Sequence, residues 1–280
     1  MATVSGQGKA RREAVMAVDD VTLRRSVAEP ILEGISFEVY EGEFLSIIGA
    51  SGIGKTTLLQ SMAGLIRPVS GRISYKGGEV AAPRVEIGLV YQNYALFPWR
   101  TALENVEFGL EIKDIPRARR RQMAAEALDL MGLAEDKHKF PIELSGGMQQ
   151  RVAIARELVN KPDVLLLDEG FSALDIQTRR QTEEQIIQIQ KELGITIVLV
   201  THMVDQALAL SDRAIVLSDG RIKKVMALEG RKPRDTDAPA FRKLLHETEA
   251  MIRPTPKIET FVKDLEAISS KKQRAGAAKG

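Results

Sequence analysis

One octet limits this chain more than any other stretch: Gly49-Ala-Ser-Gly-Ile-Gly-Lys-Thr56, a G-x-x-x-x-G-K-[ST] pattern. It follows the apolar run "FLSII" and opens the helical pattern "TTLLQSMAGL". Strand, glycine-rich turn and helix form the setting in which such a loop cradles phosphate. Glycines let the backbone turn its N–H groups toward one anion. The following helix directs its partially positive end at the same place. The candidate phosphate-binding residues are Gly49, Ala50, Ser51, Gly52, Ile53, Gly54, Lys55, Thr56 and Thr57. Lys55 can reach the β- and γ-phosphates, and the Thr56 hydroxyl can ligate Mg²⁺.

A second element completes the chemistry. "VLLLDE", residues 164–169, is an apolar strand ending in two carboxylates. Asp168 is expected beside the metal, and Glu169 can polarise an attacking water. Elsewhere "ITIVLVTH" reads as another buried strand. "AVMAVDDVTL", "ISFEVYEGEFLSIIG", "GRISYKGGEV" and "IGLVYQ" read as further strands, with a turn at "YEGE". "RAIVLSDGRIKKVMAL" reads as a hairpin turning at Asp219-Gly220. "TRRQTEEQIIQIQKELG" reads as an amphipathic helix ending at Gly194, and "VDQALALS" as a short one. From about Thr101 to Asn160 the pattern is helical. In "RARRRQMAAEALDLMGL", Met123, Ala127, Leu130 and Met131 are expected on the buried face, with the arginines opposite. Strands alternating with helices predict an α/β fold with a largely parallel sheet.

Composition narrows the function. The net charge is +2, so no strong field argues for nucleic acid as a partner. The chain has no cysteine, which excludes disulfides, thiolate metal sites and cysteine nucleophiles. No apolar run approaches the ~20 residues of a membrane span. The N-terminus has no signal-peptide pattern.

"LSGGMQQRVAIAREL", residues 144–158, settles the class. It resembles the signature motif of ATP-binding-cassette (ABC) ATPases. The order of elements matches as well: the loop at 49–56, Gln92 after a strand, the signature, the acidic strand, "SALD" at 172–175, then "TH" at 201–202. The resemblance covers about residues 15–228. It implies a P-loop NTPase fold with a RecA-like core, an antiparallel β subdomain and a helical subdomain inserted at about 97–160. By position, Gln92 resembles the glutamine that senses metal and water, so Thr56, Gln92 and Asp168 form the expected Mg²⁺ set. Glu169 is the expected general base, and His202 resembles the histidine that contacts the γ-phosphate. Ser145, Gly146 and Gly147 are expected to close over the ATP of a second copy in a head-to-tail dimer. Asp175 resembles the residue that communicates across that interface.

Three positions depart from the family's pattern. Its adenine-stacking aromatic is missing, and Arg25 falls near that position; a guanidinium can stack on a base. Gly170 stands where Pro is usual, which frees the backbone beside Glu169. Met203 stands where Asp is common.

One cassette without spans or heptads fits the ATPase subunit of a membrane importer, with separate permease subunits and a substrate-binding protein. The alternatives are an ABC ATPase of nucleic-acid or protein machinery, which usually carries two cassettes or coiled coils, and a P-loop kinase, which would lack "LSGG". "NYALFPWRTALENV" resembles the nitrate/sulfonate/taurine importer subgroup, and permease docking is expected near Gln92–Arg100. That stretch concentrates scarce aromatics, and Phe97 or Trp99 is expected to be partly exposed. Such a subunit would lie on the cytoplasmic face of the inner membrane. Residues 1–14 are expected to be a disordered arm. "EGRKPRDTDAP" reads as a linker into a partly helical extension, 229–280, breaking at Pro254-Thr-Pro256 and ending in disorder.

Overall fold

The computed structural model describes residues 13–24, 30–169 and 176–252. Two sheets carry the fold. In the first, β1 (Ala14–Arg24) pairs antiparallel with β2 (Pro30–Tyr40) and with β4 (Ser70–Tyr75), and β4 pairs with the short β5 (Gly78–Glu79). The second is six-stranded, in the order β10-β9-β3-β8-β7-β6. Its members are β3 (Phe44–Ile48), β6 (Ile87–Val90), β7 (Val164–Asp168), β8 (Thr196–Thr201), β9 (Arg213–Ser218) and β10 (Arg221–Ala227). All its pairings are parallel except the β9–β10 hairpin. Asp219 and Gly220, both at positive φ, make that hairpin's turn.

The parallel strands are buried on both faces, which explains their near-continuous apolar sequences. Their alternation feeds two cores. Phe44, Ile48, Leu165, Leu167, Ile197 and Leu199 point to a helical layer. Leu45, Ile47, Val164, Leu166, Val198 and Val200 point to the antiparallel sheet and α1 (Lys55–Met62).

Between the adjacent strands β6 and β7 the chain leaves the sheet and builds α2 (Ala102–Ile112), α3 (Arg117–Leu130) and α4 (Gly146–Leu158). Helix α2 starts at a capping box. Thr101 Oγ1 accepts from the Glu104 N–H, and the Glu104 carboxylate accepts from the Thr101 N–H. The buried face of α3 differs from the expected one. Ala124, Ala127 and Leu128 are buried and the cap residue Met131 is too, whereas Leu130 is 40% exposed and Met123 half-buried. The arginines do not all face water either: Arg120 and Arg121 lie beside Glu107 of α2. Packing against both α2 and α4 rotates α3 by a residue from the simple apolar stripe.

Helix α5 (Ile176–Leu193) ends at Gly194, at φ 66°. Helices α6 (Val204–Leu210) and α7 (Pro239–Ile252) follow. The expected linker after Leu228 proves to be a fastened strap. Arg234 donates to the carbonyls of Leu208, Ala209, Ser211, Leu228 and Glu229. Lys232 donates to Asp212 and Gln190, and the same Asp212 oxygen, Oδ2, also accepts from the Phe44 N–H. Phe241 and Thr248 then bury α7 against the cassette. Charged side chains satisfying backbone carbonyls cannot be told from solvated ones by composition. The expectations for Arg25, Gly170, Asp175, "SALD", residues 1–12 and 253–280 fall outside the described residues.

Candidate functional site

The candidate residues meet because parallel strands bring their carboxyl ends level. Ile48 pairs with Thr201, Asp168 with Val200, and Val90 with Leu167. The residues just past those ends are therefore Gly49, His202, Glu169 and, two past β6, Gln92. Open α/β sheets place ligands in this crevice.

The loop 49–54 is built by fit. A side chain at Gly49 would lie 3.0 Å from the Leu217 carbonyl, and Gly54 holds φ 106° against Leu32 and Ile31. Lys55 opens α1, and its Nζ donates to the carbonyls of Gly49 (2.9 Å) and Ala50 (3.0 Å). Burial lowers its pKa, offset by the nearby Glu169 and Asp168 charges. Thr56 Oγ1 donates to Asp168 at 3.0 Å, and Thr56 itself is exposed. Burial raises the Asp168 pKa, with Glu169 adding to the rise and the Thr56 bond opposing it. Ser51, Gly52 and Thr56 are open to solvent, whereas Thr57 is half-buried.

Glu169 sits in the left-handed region at φ 48°, its N–H bound to Val200. Oε2 accepts from Gln92 Nε2 at 2.9 Å, and Oε1 lies 2.9 Å from His202 Nδ1. Two residues separated widely in sequence, Gln92 and His202, thus converge on one carboxylate. A strained backbone held by its surroundings is common at working sites.

Ser145, Gly146 and Gly147 stand apart from this group. Ser145 caps α4, its hydroxyl accepting from the Met148 N–H. That helix packs chiefly on α2 and α3, not on α1.

A second surface follows Gln92. Tyr91 and Gln92 lie just past β6 rather than within it. Tyr94 is buried, Phe97 and Phe108 are half-buried, and Trp99 is 71% exposed. Phe97 packs on Trp99 and edge-on to Phe108, with the Arg100 guanidinium over Phe97 and Phe108. Two residues that sequence reading passes over hold this loop. Asn105, fully buried, binds Phe97 through both backbone groups and also the Arg100 and Thr101 carbonyls. Arg156 donates to the carbonyls of Tyr94 and Ala95, both at positive φ. The one signal for Arg156 was a cation inside the apolar run "VAIAREL".

Fold and site together define a P-loop NTPase. The family described as "ABC transporter" matches residues 32–172, and the chain belongs to that family as one of its ATPase cassettes. An uncharacterized ABC transporter ATP-binding protein of Methanocaldococcus jannaschii is 47% identical over 212 residues, 75% of this chain and 79% of that protein. The nitrate import ATP-binding protein NrtD of Synechocystis sp. is 44% identical over 213 residues, again 75% and 79%. Among solved structures, a dimeric ATP-binding cassette in a post-hydrolysis state bound to ADP and Pi is similar at TM-score 0.70. It is 34% identical, covering 77% of this chain and all of that one. Among the described residues, no helix is long and apolar enough to cross a membrane.

Proposed function

We propose that the chain is the ATP-hydrolysing subunit of an importer, working as a head-to-tail pair beneath separate permease subunits. The observation that carries this reading is the Glu169 carboxylate, held between Gln92 and His202 one residue past the Asp168–Thr56 pair. Residues 49–57 receive the triphosphate, with Lys55 neutralising its β- and γ-oxygens. Thr56 and Asp168 are hard oxygen donors 3.0 Å apart. They suit Mg²⁺, which takes one or two protein oxygens with phosphates and water. Bound there with help from Gln92, the ion would neutralise charge on the phosphate oxygens. Glu169 accepts the proton of the attacking water, Gln92 orients that water, and His202 donates to the γ-phosphate.

Ser145, Gly146 and Gly147 are assigned to the ATP of the second copy. Support comes from the packing of α4 away from α1 and from the dimeric solved relative. We take residues 15–228 as the cassette, with the helical subdomain at about 97–160. The permease is assigned to the surface from Gln92 to Arg100, where Trp99 is exposed. A substrate-binding protein would act through the permease, and no nucleic acid takes part. The location is the cytoplasmic face of the inner membrane. A nitrate/sulfonate/taurine-type anion as cargo is supported by "NYALFPWRTALENV" and the nitrate import relative. ATPase activity of the reconstituted complex, measured with nitrate- or taurine-loaded binding protein, tests that cargo.

The central test is Glu169→Gln. The variant is expected to bind ATP, accumulate as a nucleotide-bound dimer and lose hydrolysis by at least about 100-fold. Hydrolysis at the ordinary rate would remove the general-base assignment.

A further inference from the structure

The turn that carries Gln92 is tight and its far side is strained. The Tyr94 N–H closes it on the Tyr91 carbonyl at 2.9 Å, with Gln92 and Asn93 as the two central residues. The Ala95 N–H then reaches back to the Asn93 carbonyl at 2.7 Å. Tyr94 and Ala95 stand at φ 59° and 46°, a region that residues other than glycine seldom enter. Such a backbone persists only where its surroundings hold it.

The holder is Arg156, buried in the last turn of α4. Its Nη1 donates to the Ala95 carbonyl at 2.7 Å and its Nη2 to the Tyr94 carbonyl at 3.0 Å. These are two prongs of one planar group, so they fix direction as well as distance. The neighbouring Glu157 seats the same helical turn on β6, the strand that leads to Gln92. A side chain at Gly88 of β6 would lie 3.2 Å from the Glu157 Cβ. The strand before Gln92 and the turn around it therefore both bear on the end of α4.

We propose that Arg156 is a positioning residue for hydrolysis: by gripping the Tyr94 and Ala95 carbonyls it aims the Gln92 amide at Glu169. The inference rests on the place given to Gln92 and Glu169 under Proposed function. Helix α4 begins at the Ser145 cap, ~16 Å from Arg156. The residues assigned to the second copy's ATP and the residue that sets Gln92 thus share one helix.

The test is a double-mutant cycle in the full chain with Arg156→Lys, which keeps the charge and loses the fork. Arg156→Lys and Gln92→Ala are each expected to lower kcat by about 10-fold, with ATP affinity within about twofold of the parent. Together they should cost less than about twofold more than Gln92→Ala alone, because the arginine acts through the glutamine. Hydrogen exchange of peptides covering 91–97 should quicken at least about fivefold in Arg156→Lys, while β7 and α1 keep the parent's rates. A parent-like rate for Arg156→Lys, additive losses in the double variant, or unchanged exchange at 91–97 would overturn the inference and leave the Gln92 assignment standing. Gln92→Ala hydrolysing at the parent's rate would instead remove that assignment, and the inference with it.

Discussion

His202 Nδ1 stands 2.9 Å from Glu169 Oε1, so the residue after β8 holds the residue after β7. The same imidazole is exposed on its outer side, where a phosphate would meet it. Replacing it removes both a carboxylate partner and a donor. His202→Ala is expected to lower kcat by about 100-fold or more with little change in nucleotide affinity. Steady-state hydrolysis and equilibrium titration with a fluorescent nucleotide separate the two. A loss confined to affinity would contradict a role in the chemical step.

Arg234 ties the strap to the end of α6, and α6 begins two residues after His202. Removing the guanidinium leaves several carbonyls without a donor. Arg234→Ala is expected to cost about 2–4 kcal/mol in urea unfolding. Arg234→Lys should restore less than half, because an ammonium lacks the planar fork that reaches several carbonyls. A cost under about 1 kcal/mol for the alanine variant would make the strap ornamental.

Glu183 of α5 is buried and accepts from Gln206 of α6. Burial raises its pKa above the usual carboxylate value, with Arg179 and Arg180 opposing. A raised folded pKa means the native chain holds this proton more tightly than the unfolded chain. The resulting stability is complete below the unfolded pKa and is lost as pH rises through the folded one. Glu183→Gln should remove that slope, making unfolding free energy flatter above pH 4.5 than in the parent. An unchanged slope would assign it to other groups.

Trp99 is the sole tryptophan and is 71% exposed. Its fluorescence is therefore a single-site reporter of the surface assigned to the permease. Acrylamide should quench it efficiently in the isolated subunit and at most half as well in the membrane complex. Aromatic anchors at interface centres lose solvent on binding. Undiminished quenching in the complex would move the docking surface elsewhere.

Sequence reading went furthest where chemistry is local. The loop at 49–56 and the Asp168-Glu169 pair are contiguous, and each is marked by its own residue types at fixed spacing. It stopped where the partner is backbone. Arg156 serves the carbonyls of Tyr94 and Ala95, and Arg234 those of Leu208 and Ser211. Every residue carries a carbonyl, so nothing in composition marks which one a distant cation will find. The face of α3 was misread for a related reason. Leu128 and Leu130 are the same residue type, and only the positions of α2 and α4 decide which is covered.

The alternation of β3, β7 and β8 between two cores has a mechanical consequence. The sheet works as a bulkhead: one compartment contains α1 and the antiparallel strands, the other the helices from α2 to α4. Loosening the helical compartment is therefore expected to leave the compartment with α1 packed. Hydrogen exchange should accordingly reveal two rates of opening, slow for α1 and faster for α2 and α3. A cassette partitioned in this way can hold its fuel still while the wall facing a partner gives.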